Sequence, residues 1–123
     1  MTKQQLAAFV TSYLQTAAWA ENESITDCDL FTRNGNKIAT EDCERFIGLC
    51  KEVGIDPFTY KGVDLDYPAP HDLYLTRNGH GAGFWDKEDL YGEENAAKLT
   101  EIAKQMGEKT AYHVRGPKSK LTF

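Results

Sequence analysis

HDLYLTRNGHGAGFWD, residues 71–86, holds two of the three histidines and one of the two tryptophans of the chain. Its first half, Asp72-Leu-Tyr-Leu-Thr-Arg77, alternates with period two, as a half-buried strand does. Asn78-Gly79 follows, the favoured loop of a two-residue hairpin, because a type I′ turn needs φ > 0 at both central residues. The spacing predicts a β-hairpin in which Leu73 faces Phe84, Leu75 faces Ala82, Arg77 faces His80 and His71 faces Asp86. One face then carries His71, Leu73, Leu75, Ala82 and Phe84, with Arg77 and His80 at the turn. The other carries Asp72, Tyr74, Thr76 and Trp85 opposite Gly81 and Gly83. Two positions without side chains on one face form a slot that a helix, a ligand or Tyr74 can approach closely.

Downstream, KEDLYGEE reads as an acidic connector and Glu93 to Met106 as a helix, with the stripe Ala96, Leu99, Ile102, Ala103 and Met106 ended by Gly107. Thr110 to Val114 alternates as a third strand. Gly116-Pro117 turns it, and Lys120 to Phe123 either returns as a short fourth strand or hangs free. Upstream, residues 55–70 hold three of the four prolines and read as a wrapping loop with Phe58 or Tyr60 tucked in. Pro70 then delivers the chain into the hairpin extended. Thr40 to Val53 is a helix capped by Thr40, with the stripe Cys43, Phe46, Ile47, Cys50 and Val53, and Gly54 as its stop. Residues 21–38 read as loop, with Asn34-Gly35 a second turn signal. Their acids Glu21, Glu23, Asp27 and Asp29 lack the alternate spacing of a calcium loop. Residues 3–20 form an amphipathic helix with Leu6, Phe9, Val10, Tyr13, Leu14 and Ala17 on one face, Thr2 and Gln5 at capping-box spacing, and Trp19 as a core anchor. The expectation is one α+β domain over residues 1–123: three helices packed on a small antiparallel sheet, in the order α-α-β-β-α-β.

Composition narrows the function. Hydrophobic residues make up 41% and charged residues 27% of the 123 residues, an ordinary globular balance. A net charge of −5 argues against a sequence-independent grip on nucleic acid or anionic lipid. Arg115, Lys118 and Lys120 are the one candidate basic patch. Cys28, Cys43 and Cys50 form no CxxC pair, and an odd count suits reduced cytosolic thiols. Cys43 and Cys50, on a helical stripe, read as buried small hydrophobes. No secretory leader opens the sequence and no run reaches the ~20 apolar residues of a membrane span, so a soluble intracellular protein is expected.

The chemistry-bearing residues do not assemble into a known catalytic pattern. His71, His80, Asp72 and Asp86 are metal-ligand types, but in the hairpin Asp72 points away from His71 and Asp86, while His80 sits at the far end; no metal is expected. A nucleophile–histidine–acid set lacks a nucleophile, because Thr76 has no elbow around it. The run GHGAG is not GxGxxG between a strand and a helix, so a tight turn and close packing account for it, and no cofactor is expected. No catalytic residue is therefore named. Arg77, Asn78, His80 and Trp85, around a rigid turn, are types that make interface hot spots when exposed, with Asp86, His71, Asp72 and Tyr74 beside them. For Trp85, core and exposed placements stand level.

The same run resembles the signature of a family of small proteins of no established activity, encoded by tailed bacteriophages and related mobile elements. The likeness extends to SYLQTAAWA (Ser12 to Ala20), DCERF (Asp42 to Phe46) and KLTEIAKQMGE (Lys98 to Glu108), in the same order. The C-terminal TAYHVRGPKSKLTF departs from that family's short aromatic strand and acidic hairpin. The resemblance implies a phage accessory protein at work in the host cell cytoplasm. Combined with the hot-spot residues, it makes a non-enzymatic module binding a host or phage protein the first expectation. The alternative is a small-molecule-binding protein or minor enzyme using Arg77, Asn78 and His80 at the turn. An enzymatic role stays open behind the binding one.

Overall fold

The structure, a computed structural model, describes residues 1–21, 31–62, 67–114 and 120–123. The first helix, α1 (Lys3–Ala20), begins on the expected capping box. The Gln5 N–H donates to Thr2 Oγ1 at 3.0 Å, and the Thr2 N–H donates to Gln5 Oε1 at 2.9 Å. These two bonds satisfy donors that every helix start leaves open. Its buried face includes Phe9, Val10, Tyr13, Leu14 and Ala17, with Leu6 partly buried against the core.

Helix α2 (Arg33–Glu52) starts seven residues before the Thr40 cap expected from sequence. Thr32 is the cap instead, accepting from the Gly35 N–H at 2.9 Å, while Thr40 donates back to the Asn36 carbonyl at 2.8 Å from inside the helix. Asn34-Gly35 therefore lies in the first helical turn, where Gly35 lets the chain at Thr122 approach: a Cβ there would sit 3.2 Å from the Thr122 Cα. Cys43, Phe46 and Cys50 are fully buried, and Val53 at the C-cap is exposed. A short 3-10 turn at Pro57–Thr59 follows, with Phe58 and Tyr60 both packed against the core.

The decisive stretch is not a hairpin. Pro68–Arg77 is a helix, α3. Pro68 stands at the first helical position and Pro70 at the third, where a missing N–H costs nothing because those donors have no partner within the helix. Asp72, Leu73, Tyr74, Leu75, Thr76 and Arg77 are all buried. With all its residues buried but the half-buried His71, the helix has no polar stripe, so its composition carries no 3.6-residue signature, and a short apolar run is then ambiguous with a strand. Asn78-Gly79 ends this helix rather than turning a hairpin. Gly79 (φ +67°) donates to the Thr76 carbonyl at 3.3 Å and His80 donates to the Leu75 carbonyl at 3.1 Å, the paired bonds of a Schellman cap.

The chain then doubles back on α3. Gly83 packs so closely that a Cβ would overlap Thr76 Oγ1, and the Phe84 N–H donates to that same oxygen at 3.0 Å. A 3-10 turn (Phe84–Asp86) and the single helical turn α4 (Glu88–Tyr91) lead into α5 (Glu93–Met106). Helix α5 has the expected bounds, and its whole expected stripe is buried. Two strands close the molecule, β1 (Tyr112–His113) and β2 (Leu121–Thr122), antiparallel, with Tyr112 opposite Thr122 and His113 opposite Leu121. They match the expected third and fourth strands in place, and Phe31 adds a parallel bridge to Leu121.

The described residues thus form five helices and a two-stranded sheet, α+β in the broad sense, in the order α-α-α-α-α-β-β rather than α-α-β-β-α-β. Helix α3 is the central element, with α1 and α5 packed against it. Phe46 of α2 stacks on Phe84 at 5.8 Å between centroids, and Phe84 meets the edge of Tyr91 at 5.1 Å. Each such fully buried aromatic contributes about 1.5–3 kcal/mol by burial. Glu23, Asp27, Asp29 and Cys28, the Gly116-Pro117 turn, and Arg115 and Lys118 of the basic patch lie outside the described residues.

Candidate binding face around helix α3

Three polar residues of α3, and Asn78 at its C-cap, are held from different sides, and the ties explain why so polar a helix is buried. Asp72 is fully buried and accepts from Lys87 Nζ at 2.6 Å and from the Tyr91 hydroxyl. A buried carboxylate is tolerable only when its charge and lone pairs are met this way. Burial, with the Asp72 charge beside it, pushes the Tyr91 phenol far above its ordinary pKa. Arg77, with a side chain 1% exposed, spends its guanidinium entirely inside. It donates to Asp42 Oδ2 at 2.8 Å, Tyr13 Oη at 3.2 Å, the Gly107 carbonyl at 2.7 Å and the Met106 carbonyl at 3.1 Å. It therefore joins α1, α2, α3 and the C-terminus of α5. Lys109 adds a second cation on Asp42 at 3.0 Å.

Tyr74, also buried, donates its hydroxyl to Glu21 Oε1 at 2.9 Å and accepts the Ala111 N–H at 3.1 Å. Its ring lies edge-on to Tyr13 and stacked with His80 at 5.9 Å. Burial pushes the Tyr74 phenol well above its usual range. Asn78 accepts the Lys109 N–H at 2.8 Å and donates to the Tyr74 carbonyl at 3.1 Å, pinning the chain after α5 to the end of α3. Asp86 folds back to accept the Gly83 N–H at 3.0 Å.

Of the eight residues singled out from sequence, Arg77, Asn78, Asp72, Tyr74 and Asp86 thus make framework contacts. The structure brings His80, His71 and Trp85 to the surface around them. His80 Nε2 lies 3.5 Å from Glu21 Oε1. His71 is half-buried, its Nδ1 3.1 Å from Thr16 Oγ1 and its ring 5.9 Å from the Trp19 indole. Burial lowers the His71 pKa below the ordinary histidine value; Asp72 acts in the opposite sense and Lys87 reinforces it. Trp85 is 49% exposed, which settles the level placement in favour of the surface. Trp19, expected in the core, is 57% exposed and covers His71 instead. It lies two residues past Ala17, the last of the expected stripe, which turns it about 200° around α1 and so outward. His71 and Asp86, expected face to face, belong to different segments, as do Arg77 and His80.

Sequence reasoning passed over Thr16, Glu21, Asp42, Lys87 and Tyr91. Asp42 could have been found: it precedes Cys43 and lies four residues before Phe46, on the buried side of α2. Nothing in the sequence pairs Lys87 and Tyr91 with Asp72. Cys43 and Cys50 are buried as expected; burial pushes the Cys50 thiol up to about 12 and the Cys43 thiol beyond that. Among the described residues no group of three or more His, Cys, Asp or Glu side chains is placed to hold a metal ion. No helix among them is long and apolar enough to cross a membrane. Comparison with protein-family models, with curated proteins and with solved structures finds no match to this chain.

Proposed function

We propose that this chain is a non-enzymatic protein-binding module, a phage accessory protein that engages a host or phage protein in the host cytoplasm. The observation that supports this reading best is the exposure of both tryptophans of the chain, 57% for Trp19 and 49% for Trp85. Tryptophan is among the residues most enriched at interface hot spots, where a large ring on a rigid base binds at little entropic cost. Both stand beside packed neighbours. Trp19 lies in α1 against His71, and Trp85 follows Phe84, which is fully buried. The phage setting rests on the sequence resemblance.

A small-molecule site at Arg77, Asn78 and His80 has less support. Arg77 and Asn78 spend their polar groups on the interior, which leaves His80 as the exposed member. The test is an affinity pull-down from bacterial host lysate, comparing the wild-type protein with a Trp19→Ala/Trp85→Ala double variant, each first shown to be folded by circular dichroism. A protein held by the wild type and lost by the variant is the expected outcome. Equal retention by both, or no specific protein on either, would sink the proposal.

A further inference from the structure

The Thr16 hydroxyl has one proton and two neighbours. It donates to the Ser12 carbonyl at 2.8 Å, one turn back along α1, and its oxygen also lies 3.1 Å from His71 Nδ1. Because the only hydroxyl proton is spent on Ser12, the contact with His71 is a hydrogen bond only if Nδ1 carries a proton and donates it. From this geometry we infer that His71 is locked as the Nδ1–H tautomer and presents a bare Nε2 lone pair as a hydrogen-bond acceptor on the binding face proposed above.

Three further observations fit. Nε2 makes no hydrogen bond among the described residues, and the ring is half-buried rather than sealed. The groups facing it are Thr16 and Trp19 from α1, its neighbour Asp72 on α3, and Lys87 from the returning segment. Burial outweighs the Asp72 charge, so the imidazole is held toward its neutral form, the only form with a free lone pair. Asp72 and Lys87, paired at 2.6 Å, cancel as a charge, so a cation gains no net attraction beside His71. The group that fits is therefore a neutral donor, an amide N–H or a hydroxyl of the partner protein, seated beside the Trp19 indole. Thr16 acts through His71 as a positioning residue.

The inference rests on the proposed binding face, and its test has one arm that does not. Long-range nitrogen–proton NMR of the free, isotope-labelled protein distinguishes a protonated from a bare ring nitrogen. The expected spectrum shows His71 with Nδ1 protonated and Nε2 bare. In Thr16→Val, nearly the same shape without the acceptor, the signal should move toward the Nε2–H tautomer that free histidine prefers, and Thr16→Ser should restore the wild-type pattern. A protonated Nε2 in the wild type, or no change in Thr16→Val, overturns the tautomer lock whatever binds. In the second arm, pull-downs compare His71→Gln, whose amide oxygen reaches the place of Nε2, with His71→Asn, which reaches only that of Nδ1. Retention of the wild-type partner by the glutamine variant and at least a tenfold loss by the asparagine variant is expected. Equal loss in both overturns the acceptor role, whereas a wild type that retains nothing counts against the binding module and leaves the NMR result standing.

Discussion

At Gly83 the backbone has no room for a side chain. Its φ of +151° suits glycine, and a Cβ would overlap the hydroxyl of Thr76, the same group that accepts the Phe84 N–H. Gly83→Ala must shift α3 or the returning segment, adding overpacking of about 1–3 kcal/mol to a strained backbone of similar cost. Gly79 differs: its positive φ is needed for the helix cap, but a Cβ there meets nothing. Gly79→Ala should therefore cost only the left-handed penalty, about 1–2 kcal/mol. Urea unfolding of the two variants side by side checks this order, and a milder Gly83→Ala would show that the segment does not lie against Thr76. The thiols make a second comparison at this scale. Burial pushes the Cys50 thiol up to about 12 and the Cys43 thiol higher, so the reactive thiolate is scarce at pH 8. Peptide mapping after iodoacetamide treatment of native protein at that pH should find both unmodified, and both should label once the protein is unfolded in urea.

Helix α3 shows where sequence reading holds and where it fails. Helices α1 and α5 were legible because each is half-covered: the solvent side is polar, the inner side apolar, and the 3.6-residue period survives. Every residue of helix α3 but the half-buried His71 is buried, so that contrast is absent, and Asp72, Tyr74 and Thr76 alternating with Leu73 and Leu75 read as a strand. The Asn78-Gly79 dipeptide reinforced the error, since the same φ > 0 residue serves a hairpin and a helix stop. The site suffered likewise. Arg77 looked like a surface hot spot because its partner Asp42 lies 35 residues before it and the Met106 and Gly107 carbonyls 29 and 30 residues after it, distances no local pattern spans. Its present surroundings fix the outcome of removing it. Arg77→Ala leaves Asp42 half-compensated by Lys109 and strands the buried Met106 carbonyl and the part-buried Gly107 carbonyl, which should cost about 3–5 kcal/mol. In thermal unfolding that is a fall of roughly 10–20 °C for a domain of this size. His80→Ala, whose contact with Glu21 is a long 3.5 Å and partly exposed, should fall by no more than a few degrees. Equal behaviour of the two variants would contradict the buried placement of Arg77.

On the scale of the whole molecule, His71 sets a proton linkage and the two exposed tryptophans supply an optical signal. The folded-state pKa of His71 is lowered, so protonation favours the unfolded chain. Above the unfolded value of about 6.5 both states hold a neutral ring and His71 takes nothing from stability. As pH falls below that value the unfolded chain gains a proton first, so stability declines, and the decline ends once the folded ring titrates too. Urea titrations of wild type and His71→Gln across that window should show this slope in the wild type and not in the variant; parallel curves would mean the ring is not held neutral. Fluorescence reports on the same region. Both tryptophans already stand in water by about half their surface, while the buried aromatics are tyrosines and phenylalanines. Global unfolding should therefore shift the tryptophan emission only slightly to the red, even as circular dichroism records full loss of helix. A partner seated on Trp19 and Trp85 would remove water from both indoles and move the emission to the blue without any change in helix content. Monitoring emission during titration with the retained protein thus separates binding from folding. A large red shift on unfolding of the free protein would place the indoles inside and remove the basis for the binding face, because side chains sealed in the core have no surface to offer a partner.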